Sequence, residues 1–150
     1  MTVTFLSTFS FAGELTPRTT FADMVDALFG AVKLVANETP VAWEGIGYDP
    51  ALRTTHWHVF TIPRPTSIQT LGIHGWTEHR GILQINVRVP IGDGPMAALR
   101  DADRLYSYFR RGLTLDHDVR VIAVDRGSIS VDKAWATLPV SIRWRSSQPE

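Results

Sequence analysis

An α+β fold is predicted, a two-layer sandwich in which two helices pack on a mostly antiparallel or mixed sheet of about four strands. Three features carry that expectation. Apolar residues recur at i, i+3, i+4 and i+7 from Phe21 to Val35. Strict alternation runs through Gly81–Val89. The order helix, two strands, helix, two strands then places both helices on one sheet.

The first helix spans about Thr20 to Ala36, with Phe21, Met24, Val25, Leu28, Val32 and Val35 as its apolar stripe. Thr20 and Asp23 have the spacing of a capping box, Asn37 can end the helix, and Pro40 forbids its continuation. Val41–Arg53 reads as irregular, with Trp43, Tyr48 and the breaker Asp49-Pro50. A strand at about Thr55–Pro63 follows, and Arg64–Glu78, with Pro65, Gly72 and Gly75, reads as a long connection. In the next strand Leu83, Ile85, Val87 and Val89 alternate with Gln84, Asn86 and Arg88, giving one buried and one wet face. The second helix is expected between Asp93-Gly94-Pro95 and Gly112, burying Leu99, Ala102, Leu105 or Tyr106, and Phe109. Strands at about Val119–Asp125 and Ala134–Arg145 complete the chain. In the last, Ala136, Leu138, Val140, Ile142 and Trp144 face inward, and Pro139 suggests an edge position or a bulge. Residues 1–19 are then an N-terminal arm, 20–145 the domain, and 146–150 a C-terminal tail.

The chain has 150 residues, 44% of them hydrophobic and 20% charged, with no cysteine and a formal net charge of zero. That composition suits one domain with a sizeable core, and excludes disulfides, thiolate metal sites and a cysteine nucleophile. Neutral charge lacks the basic excess of a dedicated nucleic-acid binder, and no sequence-specific nucleic-acid partner is expected. No apolar run reaches the roughly 18 residues of a membrane span, and no Lys or Arg precedes Arg18 as a signal peptide would require. A soluble, non-secreted protein without a membrane partner is expected.

The charges are segregated. Residues 1–50 carry −4, residues 51–100 carry +3 and the last third +1, and thirteen of the fifteen basic residues are arginine. Arginine suits desolvated, bidentate contacts, as at interfaces, although compositional bias accounts for the same count.

No catalytic signature emerges. His56-Trp57-His58 places two imidazoles on one face of a strand, and His74 or His79 would be needed as a third ligand for a His-dependent metal hydrolase. A satisfied, half-buried histidine is the simpler reading. Gly92-Asp93-Gly94 lacks the Lys-Ser/Thr of a phosphate loop, and no serine sits in a Gly-x-Ser-x-Gly elbow. Instead, apolar residues occur where a monomer has little use for them. Ile68, Leu71, Ile73 and Trp76 lie in the long connection, and Val3, Phe5, Phe9 and Phe11 share one parity in the arm. A monomeric protein-binding module using the Arg64–Glu78 connection is a further alternative.

Val41-Ala42-Trp43-Glu44-Gly45 and Tyr48-Asp49-Pro50 follow the first helix, and Gly81–Pro90 runs into Ile91-Gly92-Asp93-Gly94. The Arg/Asp-rich helix and the closing Leu138-Pro139-Val140-Ser141-Ile142-Arg143-Trp144 come after them. Over about residues 20–145 this pattern resembles the tail-terminator (tail-completion, head–tail joining) proteins of long-tailed bacteriophages. The resemblance implies a non-enzymatic virion protein, assembled in the host cytoplasm, that forms a homo-oligomeric ring, usually a hexamer, at the head-proximal end of the tail. There it would meet the tail tube protein and a neck or connector protein, with no cofactor, no metal and no catalytic residue. In such a ring, Ile68, Leu71, Ile73 and Trp76, with Phe5 and Phe9, are candidates for contact with a partner subunit or the tube. Acidic Asp23, Asp26, Glu38 and Glu44 would face basic Arg64, Arg80, Arg88 and Arg100 of the neighbouring subunit.

Overall fold

Thr20 starts the first helix as the sequence predicts. Its hydroxyl accepts the Asp23 N–H at 3.2 Å, and the Asp23 carboxylate accepts the Thr20 N–H at 2.9 Å, closing a capping box. The computed structural model describes residues 18–47, 54–69, 75–92 and 94–149. Helix α1 spans Phe21–Ala36 and ends at Asn37, whose φ of 54° reverses the chain. Helix α2 spans Met96–Tyr108. It is shorter than expected, stopping before Arg110, Arg111 and Gly112. Its buried stripe is Ala98, Ala102 and Leu105, with Phe109 just past its end. Leu99 is only partly buried, and Tyr106 turns outward so that its hydroxyl donates to the Val124 carbonyl at 2.7 Å.

Among the described residues seven strands form the sheet, not about four. They are β1 (Val41–Trp43), β2 (His56–Ile68), β3 (Trp76–Pro90), β4 (Thr114–Leu115), β5 (Val119–Arg126), β6 (Ser130–Val131) and β7 (Trp135–Pro149). Their order is β1-β2-β3-β7-β5-β4, with β6 also paired to β7. Only β1–β2 is parallel, so the sheet is mixed. Both helices pack on one face, over a core that includes Trp57, Val59, Leu83, Ile85, Val87, Leu138, Val140, Ile142 and Trp144. The α+β class therefore stands, with two helices on one face of a larger, mixed sheet.

The expected long connection Arg64–Glu78 is mostly strand. β2 runs 13 residues to Ile68 and β3 begins at Trp76. Prolines masked this extension. Along β2 the odd-numbered amides point away from β3: Trp57 N–H donates to the Pro40 carbonyl, and Thr61 N–H to a Glu44 carboxylate oxygen at 2.9 Å. Pro63 occupies the next outward position, where a missing N–H costs no ladder bond. Pro65 falls in the irregularity between Arg64 and Ser67. The free edge of β2 thus has its donors either satisfied or absent from Thr61 to Pro63.

Pro139 is not on an edge. It pairs with Asn86 inside the sheet, and its carbonyl accepts the Gly127 N–H. It sits where β7 changes partner from β5, which ends opposite Val140, to β6, which begins opposite Thr137. In that gap no donor is needed. β7 also continues beyond Arg145 to Pro149, so residues 146–149 belong to the sheet and do not form a tail. Ser146 is fully buried, and its hydroxyl donates to the His117 carbonyl at 2.6 Å.

Candidate assembly surfaces

Residues paired directly across strands share a face of the sheet. The helices cover the face of Leu83, Ile85 and Val87, and no element among the described residues covers the other. On that open face four arginines occupy paired positions on four adjacent strands: Arg64 on β2, Arg80 on β3, Arg145 on β7 and Arg120 on β5. At roughly 4.8 Å per strand, the row is about 14 Å long. Like charges directly opposite one another repel, and the fold offsets this unevenly. Arg145 has Glu78 at 3.6 Å and Arg120 has Asp118 at 3.1 Å. Arg80 Nε donates to the Pro65 carbonyl at 3.2 Å. Among the described residues no carboxylate pairs with Arg64 or Arg80.

Trp76 lies on the same face near the strand tip, 45% exposed and opposite Pro149. With Gln69, Asp118, Arg120 and Arg145 it lines an open groove of about 650 Å³. Ile68 pairs with Thr77, so it projects from the reverse side of the hairpin and is 70% exposed.

The helix layer offers a different surface. Asp26, Gly30 and Leu34 form one i, i+4, i+8 row on α1, all exposed. With Ala27, Leu115 and Asp116 they line a groove of about 560 Å³ that holds two carboxylates and no basic side chain. Leu34 is 73% exposed.

The structure therefore separates the residues that the sequence grouped as interface candidates. Arg64 and Arg80 are brought together. Arg88 lies eight residues along β3 from Arg80, about 26 Å away, and is occupied within the chain by Asp132 at 3.6 Å and Thr137 at 3.4 Å. Arg100 is exposed on α2, at the groove beside the end of α1, in the helix layer. Asp26 is exposed, whereas Asp23 serves the capping box. The Thr20 N–H and hydroxyl hold the Asp23 carboxyl below the usual carboxylate range. Phe5, Phe9, Leu71 and Ile73 lie outside the described residues. Sequence reasoning missed Arg120, Arg145, Leu34 and Asp116. Arg145 was legible as outward-facing, but its neighbours across the sheet depend on long-range register.

The histidines do not converge. His56 and His58 share the open face of β2, while His79 pairs with Ser146 on the opposite face. Along the strand, His79 is about 23 Å from the position opposite His58. His74 lies outside the described residues, among which no group of three potential metal ligands occurs. His56 is buried edge-on against Trp135 at 4.8 Å, its Nδ1 3.1 Å from the Thr54 carbonyl. Burial pushes its imidazole below the ordinary value. The Thr54 carbonyl opposes that shift, and Arg88 and His58 add to it.

The unfolded chain therefore takes up this proton more readily than the folded one, so His56 adds stability above pH about 6.5. That contribution declines as pH falls through the lowered folded value. His56→Gln is expected to flatten the drop in urea midpoint between pH 7 and pH 5. A drop as steep as that of the wild type would assign it to other groups.

The family model described as phage tail terminator protein matches residues 23–144. Among curated proteins no sequence matches. One solved structure is similar at 25% identity, covering 88% of this chain and 97% of its own with a TM-score of 0.67. A chain from the virion of a native gene transfer agent particle aligns at 14% identity over 95% of this chain and 100% of that one, with a TM-score of 0.43. By the family match, which runs from the first turn of α1 through α2 and into β7, the chain belongs to the phage tail terminator family and is a structural protein of the virion tail.

Proposed function

We propose that the protein forms a homo-oligomeric ring, a hexamer, at the head-proximal end of a phage tail. There it ends growth of the tail tube and joins the tail to a neck or connector protein. Besides the family, the observation that supports this is the pair of unlike surfaces on opposite layers of one domain: an open sheet face bearing a row of arginines, and a helix flank bearing carboxylates and an exposed leucine. A cyclic assembly uses heterologous contacts, in which each protomer presents two different, complementary patches. The exposed Ile68 and Trp76 at the strand tips add apolar area for the tube or the neighbouring subunit.

Light scattering or mass photometry is expected to show a particle of about six times the 16.7 kDa chain mass. Added to polymerising tail tube protein, it should shorten the tubes and sit at one end of each in electron micrographs. A 16.7 kDa particle at every concentration, together with tubes of unchanged length, would overturn the proposal.

A further inference from the structure

We infer that Arg64 and Arg80, with Trp76 four residues along the same face of β3, seat the acidic flank of helix α1 from a second copy of this chain, so that Asp26 and Asp116 of one protomer meet the arginines of the next. The inference rests on the ring reading above and names its contact. Arg64 and Arg80 are held directly opposite one another on neighbouring strands, and no carboxylate among the described residues lies within ion-pair distance of either. Such a pair is a standing repulsion that an incoming anion relieves. Trp76 on the same face supplies the aromatic surface that, with arginine, typifies the energetic centre of a protein interface.

The α1 flank is the matching half. Its groove holds Asp26 and Asp116 without a basic side chain, and the row Asp26, Gly30, Leu34 is exposed. No Cβ at Gly30 blocks approach, and Leu34 gives an apolar knob. The two halves lie on opposite layers of the sandwich, so one chain cannot satisfy its own pair.

A nucleic-acid backbone fits less well. The carboxylates of Glu78 and Asp118 stand beside the arginine row, and a third, Asp125, lies 3.4 Å from Arg143 one row away. With these carboxylates the face lacks the broad basic excess that holds a run of phosphates, and the chain carries no net positive charge.

Two charge-reversed proteins test the contact: Arg64→Asp with Arg80→Asp, and Asp26→Arg with Asp116→Arg. All four side chains are exposed, so thermal unfolding should match the wild type. Each protein alone is expected to need at least about tenfold higher concentration to assemble. Mixed in equal amounts they should assemble again, because each reversed surface then meets its reversed complement in an alternating ring. Assembly of either variant alone at wild-type concentrations, or failure of the mixture, overturns the contact. If the second protein unfolds, Asp26→Arg alone takes its place in the mixture under the same criteria. Loss of binding to a random-sequence DNA duplex in Arg64→Asp/Arg80→Asp, with assembly unchanged, would also overturn it and assign the arginines to phosphate. A wild-type protein that never assembles removes the ring reading itself, which is a separate failure.

Discussion

Asp101→Ala is expected to lower stability by about 2–3 kcal/mol, because it strips the acceptor from a fully buried indole. Trp57 Nε1 donates to Asp101 Oδ2 at 3.0 Å, and Trp57 has no solvent exposure. The other oxygen, Oδ1, accepts from Arg104 Nη1 at 3.2 Å. Arg104 Nη2 in turn donates to the Val35 and Ala36 carbonyls at 2.6 and 3.1 Å, closing the end of α1 where helix carbonyls lack intrahelical partners. The same guanidinium lies over the Trp57 ring at 5.2 Å. One carboxylate therefore ties β2, α2 and the end of α1 together. The loss should appear as a lower urea midpoint with an unchanged slope. In a Trp57→Phe background, which removes the buried donor, the same substitution should cost less than about 1 kcal/mol. An equal cost in both backgrounds would show that the indole bond is not the cause.

Gly81→Ala should cost about 1–3 kcal/mol, and Gly81→Val should lie at or beyond the upper end. Gly81 sits between Pro63 and Trp144 across three strands. A Cβ there would lie 3.1 Å from Trp144 Cζ2 and 3.2 Å from both Trp144 Cε2 and the Ile62 carbonyl. The carbonyl is part of the β2 backbone, and the indole is buried with Phe21 packed on it at 5.8 Å. Neither neighbour can withdraw cheaply. For a chain of this length each kcal/mol lowers Tm by roughly 2–4 °C, so a Gly81→Ala protein melting like the wild type would show that Trp144 yields.

Local chemistry was legible in the sequence; long-range register was not. The Thr20–Asp23 capping box, the alternation in β3 and the inward series from Ala136 to Trp144 all depend on neighbours within a few residues, and all appear in the fold. Prolines misled where tertiary context removes their cost. Pro63 faces an unpaired edge and Pro139 a gap between partners, so locally the first looks like the end of a strand and the second like an edge position, and neither is. The same limit applies to the assembly surfaces. Arginine enrichment and the acidic first third were visible. That Arg64 faces Arg80, while Arg88 is occupied by Asp132, follows from pairing that no local pattern encodes. Asp23, grouped with Asp26 by charge alone, is a helix cap, so reversing its charge would perturb α1 before it reported on any interface.

The free side of β2 from Thr61 to Pro63 is closed to strand pairing. The proposed ring would gather several copies of the chain and raise its local concentration, the condition under which bare strand edges template cross-β fibres. Here the Glu44 carboxylate holds the Thr61 amide, and Pro63 has none to offer. The backbone along that stretch presents no donor for another chain to read. In such a ring, contact between copies would fall to side-chain shape and charge, and the route to fibrous precipitate is blunted along this stretch of edge.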